Sequence, residues 1–183
     1  MARPTSSQSR LARYGFGLTA ARDGTARAAE LLGPDGLGLW NPEAQEPTDD
    51  GAGQLLSGLS RAADPDLALR QLHRMVEIEA RDGLPPERLV DALRADAGLR
   101  RRLFAVLGAS SALGDHLAAN PGAWAELATG SDGVAPIAEG RLRLDGPATV
   151  PALRQAYRLA LLRIAAADLT GGRGLEQTMA ALS

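Results

Sequence analysis

Asp64-Pro65-Asp66 is the only Asp-x-Asp in the sequence, a spacing that can hold a divalent cation for phosphoryl or nucleotidyl transfer. A pair used in that way sits on a strand, where residues i and i+2 share a face. Pro65 and the helical spacing of apolar residues after it place this pair at a helix start instead, with Asp64 as the cap. Gly171-Gly172-Arg173-Gly174 has the glycine content of a phosphate cradle but lacks the lysine and serine of a P-loop, and no strand precedes it. It reads as a helix break. His73 and His116 lie on separate helices without cysteine partners, so they form no metal-binding motif and are assigned to surface or packing roles. Glu77 and Glu79 are two apart on one helix, hence roughly 200° apart around its axis, and cannot act as a joint acid and base. Glu79 falls within its helix's apolar stripe, which calls for a buried partner such as an arginine. An intrahelical pair is the simplest choice.

The arginines offer no stronger site. Arg100, Arg101 and Arg102 form the one basic run, and Arg154, Arg158 and Arg163 dot the last long helix. Both sets read as solvated faces. A helix, Gly108, a serine and a second helix superficially suggest a DNA-reading corner. The second helix, SSALGDHLAANP, carries no Arg, Lys or Gln to reach base edges. No catalytic, cofactor-binding or metal-binding residue is assigned.

The elements that would position such residues are helices. Met1 to Arg10 is polar, and residues 1–18 are taken as a flexible terminus. Thr19 or Asp23 caps a helix running to about Leu32, closed by Gly33-Pro34-Asp35-Gly36. After the apolar piece Leu37 to Trp40, Asn41 to Gly53 reads as a surface loop or a short turn of helix. Further helices are expected over Ala52–Ala63, Pro65–Arg81 and Glu87–Arg94. The second of these carries the stripe Ala68, Leu69, Leu72, Met75, Val76 and Ala80. The stretch Arg101 to Leu127 is the organising corner. In it, a helix ends at Gly108, where φ > 0 suits glycine, a second starts at Ser110 or Ser111, and a third is initiated by Pro121. Residues 19–128 thus form one helical domain. Residues 129–148 form a linker in which Arg141-Leu142-Arg143-Leu144 has strand-like alternation but no partner. A long helix over Val150–Leu169 is apolar on two sides: Val150, Leu153, Tyr157, Ala160, Leu161 and Ile164 on one, Leu159, Leu162 and Leu169 on the other. Such a helix is central, or meets something additional. The chain stops at Ser183 within an amphipathic stretch (Leu175, Met179, Leu182), which reads as a cut.

The bulk composition agrees with an all-α, multi-helix bundle. Of the 183 residues 45% are hydrophobic but only 3% aromatic, so the core must be built from leucine, alanine and valine. All 20 basic residues are arginine, the mark of a G+C-rich bacterial genome. A net charge of −2 provides no footprint for nucleic acid or an anionic membrane. No apolar run approaches the roughly 18 residues of a membrane span, and no signal peptide is evident. The absence of cysteine suits the cytoplasm.

Three stretches in order carry a family resemblance. The first is LRRRLFAVLGASSALGDHLAANPGAWAEL, with Leu107-Gly108, Ser110, Leu113-Gly114-Asp115, Leu117 and Pro121 its most specific residues. The second is LRQAYRLALLRIAAADLTG from Leu153 to Gly171, and the third GLEQTMAALS. With DPDLALRQLHRM upstream, they resemble the bifunctional glutamine synthetase adenylyltransferase/adenylyl-removing enzyme of bacteria. Leu159, Ala160 and Ala167 depart from it where more basic character is expected. The resemblance implies two related nucleotidyltransferase domains. One adenylylates a tyrosine of glutamine synthetase with ATP and the other removes the AMP by phosphorolysis, each through a Gly-Ser element and an Asp-x-Asp pair holding Mg²⁺.

No such catalytic motif occurs between Met1 and Ser183. The expectation is therefore an incomplete N-terminal helical part of the adenylyl-removing half, inactive by itself. Its residues 149–183 would lead into the absent nucleotidyltransferase core. The resemblance implies ATP and Mg²⁺ for the full-length protein only. It implies glutamine synthetase as partner, with a PII-type signal protein as a further candidate. The alternative is a stand-alone helical protein–protein interaction module.

Overall fold

The computed structural model describes residues 6–17, 24–128, 137–138, 141–142 and 149–171. Eight α-helices are described: α1 (Ser6–Arg13), α2 (Gly24–Leu32), α3 (Asp50–Leu59), α4 (Pro65–Arg81), α5 (Glu87–Ala95), α6 (Ala97–Ala109), α7 (Ser111–Ala119) and α8 (Val150–Leu169). A 3-10 helix spans Ala123–Leu127, and there are two two-stranded ribbons, β1 (Trp40–Asn41) with β2 (Glu46–Pro47) and β3 (Ile137–Ala138) with β4 (Arg141–Leu142). The fold is mostly α, as the composition implied.

Local chemistry fixes the helix starts. Asp49 accepts from the Ala52 N–H at 2.7 Å, Asp64 from Leu67 at 2.9 Å, and Asp96 from Gly98 and Leu99 at 2.8 and 3.0 Å. Ser110 caps α7 and Thr149 caps α8 in the same way. Each such cap is worth about 0.5–2 kcal/mol. Pro65 and Pro151 occupy first-turn positions, where a missing N–H costs nothing.

Helices α4 and α6 form the centre. Leu69, Leu72, Met75 and Val76 of α4 are buried, as are Leu99, Leu103, Phe104, Val106 and Leu107 of α6. Helix α4 packs on α6, α7 and α2, while α6 also meets α3, α5, α8 and the 3-10 helix. Gly108 lies inside α6 rather than ending it. A Cβ there would stand 2.6 Å from the Ala62 Cβ and 3.1 Å from the Asp64 carbonyl oxygen, so glycine serves the close approach of the α3–α4 connection. Left-handed backbone is needed later, at Gly122 with φ 88°, where the chain turns into the 3-10 helix. That short element, not a Pro121-initiated α-helix, closes the corner.

Four further expectations are corrected. The stretch 1–18 includes α1, and Leu11 and Phe16 within it are buried in the core. The Thr19 and Asp23 caps lie outside the described residues. The 41–53 loop is a ribbon, with Trp40 opposite Pro47 and the Asn41 side chain accepting from the Glu43 and Ala44 N–H groups to close its turn. Helix α3 begins at Asp50 and ends at Leu59. Finally, Arg141–Leu142 has a partner after all, since Ile137 pairs with Leu142 and Ala138 with Arg141.

Candidate interaction surfaces

The polar residues singled out by type and spacing are for the most part held in structure. Asp64 caps α4, as its position implied. Asp66 is buried, and both its carboxylate oxygens accept from the Gly17 N–H, at 2.9 and 3.0 Å, tying the N-terminal segment to α4. Glu79 takes a buried place on α4 while Ala80 faces out and Glu77 is half-exposed at its tip. Its Oε1 accepts from Trp124 Nε1 at 2.7 Å and from Arg88 Nη1 at 3.3 Å, and the Arg88 guanidinium stands 5.0 Å from the Trp124 ring centroid. The arginine partner was foreseen, but it comes from α5 and not from the same helix. Glu79 Oε2 is buried and has no hydrogen-bond partner among the described residues.

Two more side chains close on the same corner. Arg102 is buried, not part of a solvated face, and its Nε donates to the Leu127 carbonyl at 2.8 Å. Arg163 on α8 pairs with Glu126. Three helices thus hold a five-residue 3-10 element through separate polar contacts. Sequence spacing alone could not find these partners, because they are 25 to 45 residues apart.

The two histidines differ in burial. His73 is half-buried, with Nδ1 3.6 Å from Glu77. His116 is buried on α7, and Asn120 Nδ2 lies 3.0 Å from its Nδ1 and 2.8 Å from its carbonyl oxygen. Burial pushes the His116 pKa down, and the charge of Arg158 adds to the shift. A neutral ring accepting from Asn120 at Nδ1 fits that direction. Among the described residues no group of three or more His, Asp or Glu side chains could hold a metal ion.

Two surface features stay open. Helix α8 splits along its length. Ala160, Leu162, Ile164 and Ala166 are buried, but Val150, Leu153 and Tyr157, one face of its first half, are 62%, 48% and 51% exposed. Arg154 and Arg158 are exposed beside them. A second open feature is a groove of about 1090 Å³ between α3 and α6, bounded by Tyr14 at one place and Leu169–Thr170 at another. The Gly171-Gly172-Arg173-Gly174 element falls outside the described residues beyond Gly171, whose φ of 72° ends α8 as a helix break should.

By architecture the protein is of the mostly-α class, with one apolar helix face left open. Comparison with known proteins gives that class a family. The chain is 39% identical over 186 residues to the bifunctional glutamine synthetase adenylyltransferase/adenylyl-removing enzyme of Streptomyces avermitilis, covering 99% of this chain and 17% of the relative. It is 41% identical over 159 residues to the enzyme of the same name from Streptomyces coelicolor, covering 80% of this chain and 16% of the relative. A third, from Mycolicibacterium smegmatis, is 39% identical over 150 residues, 73% of this chain and 15% of the relative. No family model matches the chain, and no solved structure matches it. The chain belongs to the bifunctional glutamine synthetase adenylyltransferase/adenylyl-removing enzyme family, and it spans about one sixth of the length of the curated relatives it matches. No helix among the described residues is long and apolar enough to cross a membrane.

Proposed function

We propose that this chain is the N-terminal helical part of the adenylyl-removing half of such an enzyme, a scaffold that packs beside a nucleotidyltransferase core supplied by the rest of the polypeptide. The single observation that carries this reading is the open face of α8. Val150, Leu153 and Tyr157 are exposed on a helix that buries Ala160, Leu162, Ile164 and Ala166 further along, and large side chains in one stripe are expected to find a partner. Leu153 and Tyr157 also belong to the stretch on which the family resemblance rests.

In the full-length protein the reaction would transfer AMP to and from a tyrosine of glutamine synthetase, with ATP and Mg²⁺ bound by the core. These helices would help form the surface that meets glutamine synthetase. A PII-type signal protein is the further partner, and the cytoplasm the setting. The residues of this chain bring no catalytic group to that chemistry. They position the core through α8 and leave phosphorus activation to the metal-holding acids of the core.

The experiment has two arms. The purified 183-residue chain, given adenylylated glutamine synthetase and phosphate, is expected to release no AMP, and measurable release would overturn the assignment. In the full-length enzyme, Leu153→Asp with Tyr157→Asp is expected to lower AMP release at least about tenfold, the effect of losing on the order of 1.4 kcal/mol of docking. Unchanged release there would remove α8 from the interface.

A further inference from the structure

The groove between α3 and α6 is separate from the α8 face just assigned. Small residues, Gly53, Ser57 and Ala105 among them, are part of its lining, and its volume is about 1090 Å³. Its charge is one-sided: Arg61, Arg100 and Arg101 line it against a single acid, Asp50. Arg100 is partly occupied, with Nη1 donating to the Leu93 carbonyl at 2.8 Å. The side chains of exposed Arg61 and Arg101 have no ion-pair or hydrogen-bond partner among the described residues. Elsewhere on this surface exposed Arg74 pairs with Asp115 and half-buried Arg94 with Asp49, while exposed Arg70 has no ion pair among the described residues. The end of α8 also bears on the question. Leu169 and Thr170 line the groove, so the polypeptide leaves α8 beside it, and a segment joined there by a short linker meets it at high effective concentration.

We propose that this groove seats an acidic amphipathic helix from the same polypeptide, downstream of residue 183. Its apolar face would lie on the small-residue lining, and its carboxylates would meet Arg61 and Arg101. Residues 172–183 do not supply that charge, since they hold one arginine, Arg173, and one acid, Glu176. The proposal rests on reading this chain as a segment of a longer enzyme of its family, in which about five sixths of the length lies outside these residues.

The test uses the full-length enzyme with a photoreactive benzophenone side chain in place of Gln54, an exposed residue lining the groove, and in a second preparation in place of Leu153 on α8. Cross-linked peptides are identified by mass spectrometry. The Gln54 probe is expected to capture one segment of the same polypeptide with net negative charge and helical apolar spacing. Arg61→Glu with Arg101→Glu is expected to cut that yield at least about fivefold, with the milder Arg61→Gln and Arg101→Gln pair giving a smaller cut at unchanged circular dichroism. Capture of a neutral or basic segment, of glutamine synthetase or of a second copy overturns the proposal, as does no capture, or a yield indifferent to charge reversal. Capture at Leu153 with silence at Gln54 sinks the groove alone; silence at Leu153 sinks the α8 reading.

Discussion

The corner around the 3-10 helix and the first half of α8 lie in one small molecule and are built on opposite terms. At the corner, Trp124 and Leu127 are buried, and Glu79, Arg102 and Arg163 reach in from three helices to hold five residues that make few hydrogen bonds of their own. In the first half of α8, the main-chain hydrogen bonds and the Thr149 cap are complete, yet the large side chains face outward. The corner is a short 3-10 helix held by tertiary contacts, while the first half of α8 is regular helix with its large apolar side chains uncovered. Long-range polar contacts can stabilise a short irregular segment, and a fully formed helix can still await its packing.

Substitutions should therefore separate the two regions by stability in this chain. The largest loss is expected for Trp124→Ala, which removes a buried ring, the donor to Glu79 and the surface under Arg88. It should cost about 3–5 kcal/mol in urea unfolding, and a cost near that of a surface change would show that the corner is not clasped. Gly108→Ala comes next, at about 1–3 kcal/mol, because the added methyl meets the Ala62 Cβ and the Asp64 carbonyl in a connection that must shift.

His116 yields a smaller, pH-dependent effect. Its folded pKa lies below the ordinary value of about 6.5, so the unfolded chain takes up the proton first as pH falls. Its contribution is thus fully present above that value and declines as pH drops from there toward the folded pKa. Unfolding midpoints measured from pH 8 to 5 should fall in that window and flatten in His116→Gln. Smallest of all, Leu153→Asp should change the unfolding free energy of this chain by no more than about 0.5 kcal/mol, since its side chain is not buried here. A large loss would mean that α8 is already packed.

Much of the helical layout was legible in the residues. Asp64-Pro65 announced α4, and apolar spacing marked α8 over Val150–Leu169, because caps and apolar periodicity act over a few residues. The failures share a cause. Arg102, Asp66 and the Glu79 partners depend on residues brought together only by tertiary packing, and charge type alone assigned Arg102 to solvent. Gly108 carried the signal of a helix end but was selected by the nearness of Ala62. The apolar pattern of α8 is matched by burial at Ala160, Leu162, Ile164 and Ala166 and left uncovered at Val150, Leu153 and Tyr157.

The most direct measurement of the central claim is hydroxyl-radical footprinting of Tyr157, compared between the isolated chain and the full-length enzyme. The account predicts ready oxidation in the isolated chain, where this ring is 51% exposed, and strong protection in the full-length enzyme. Equal oxidation in the two would contradict it.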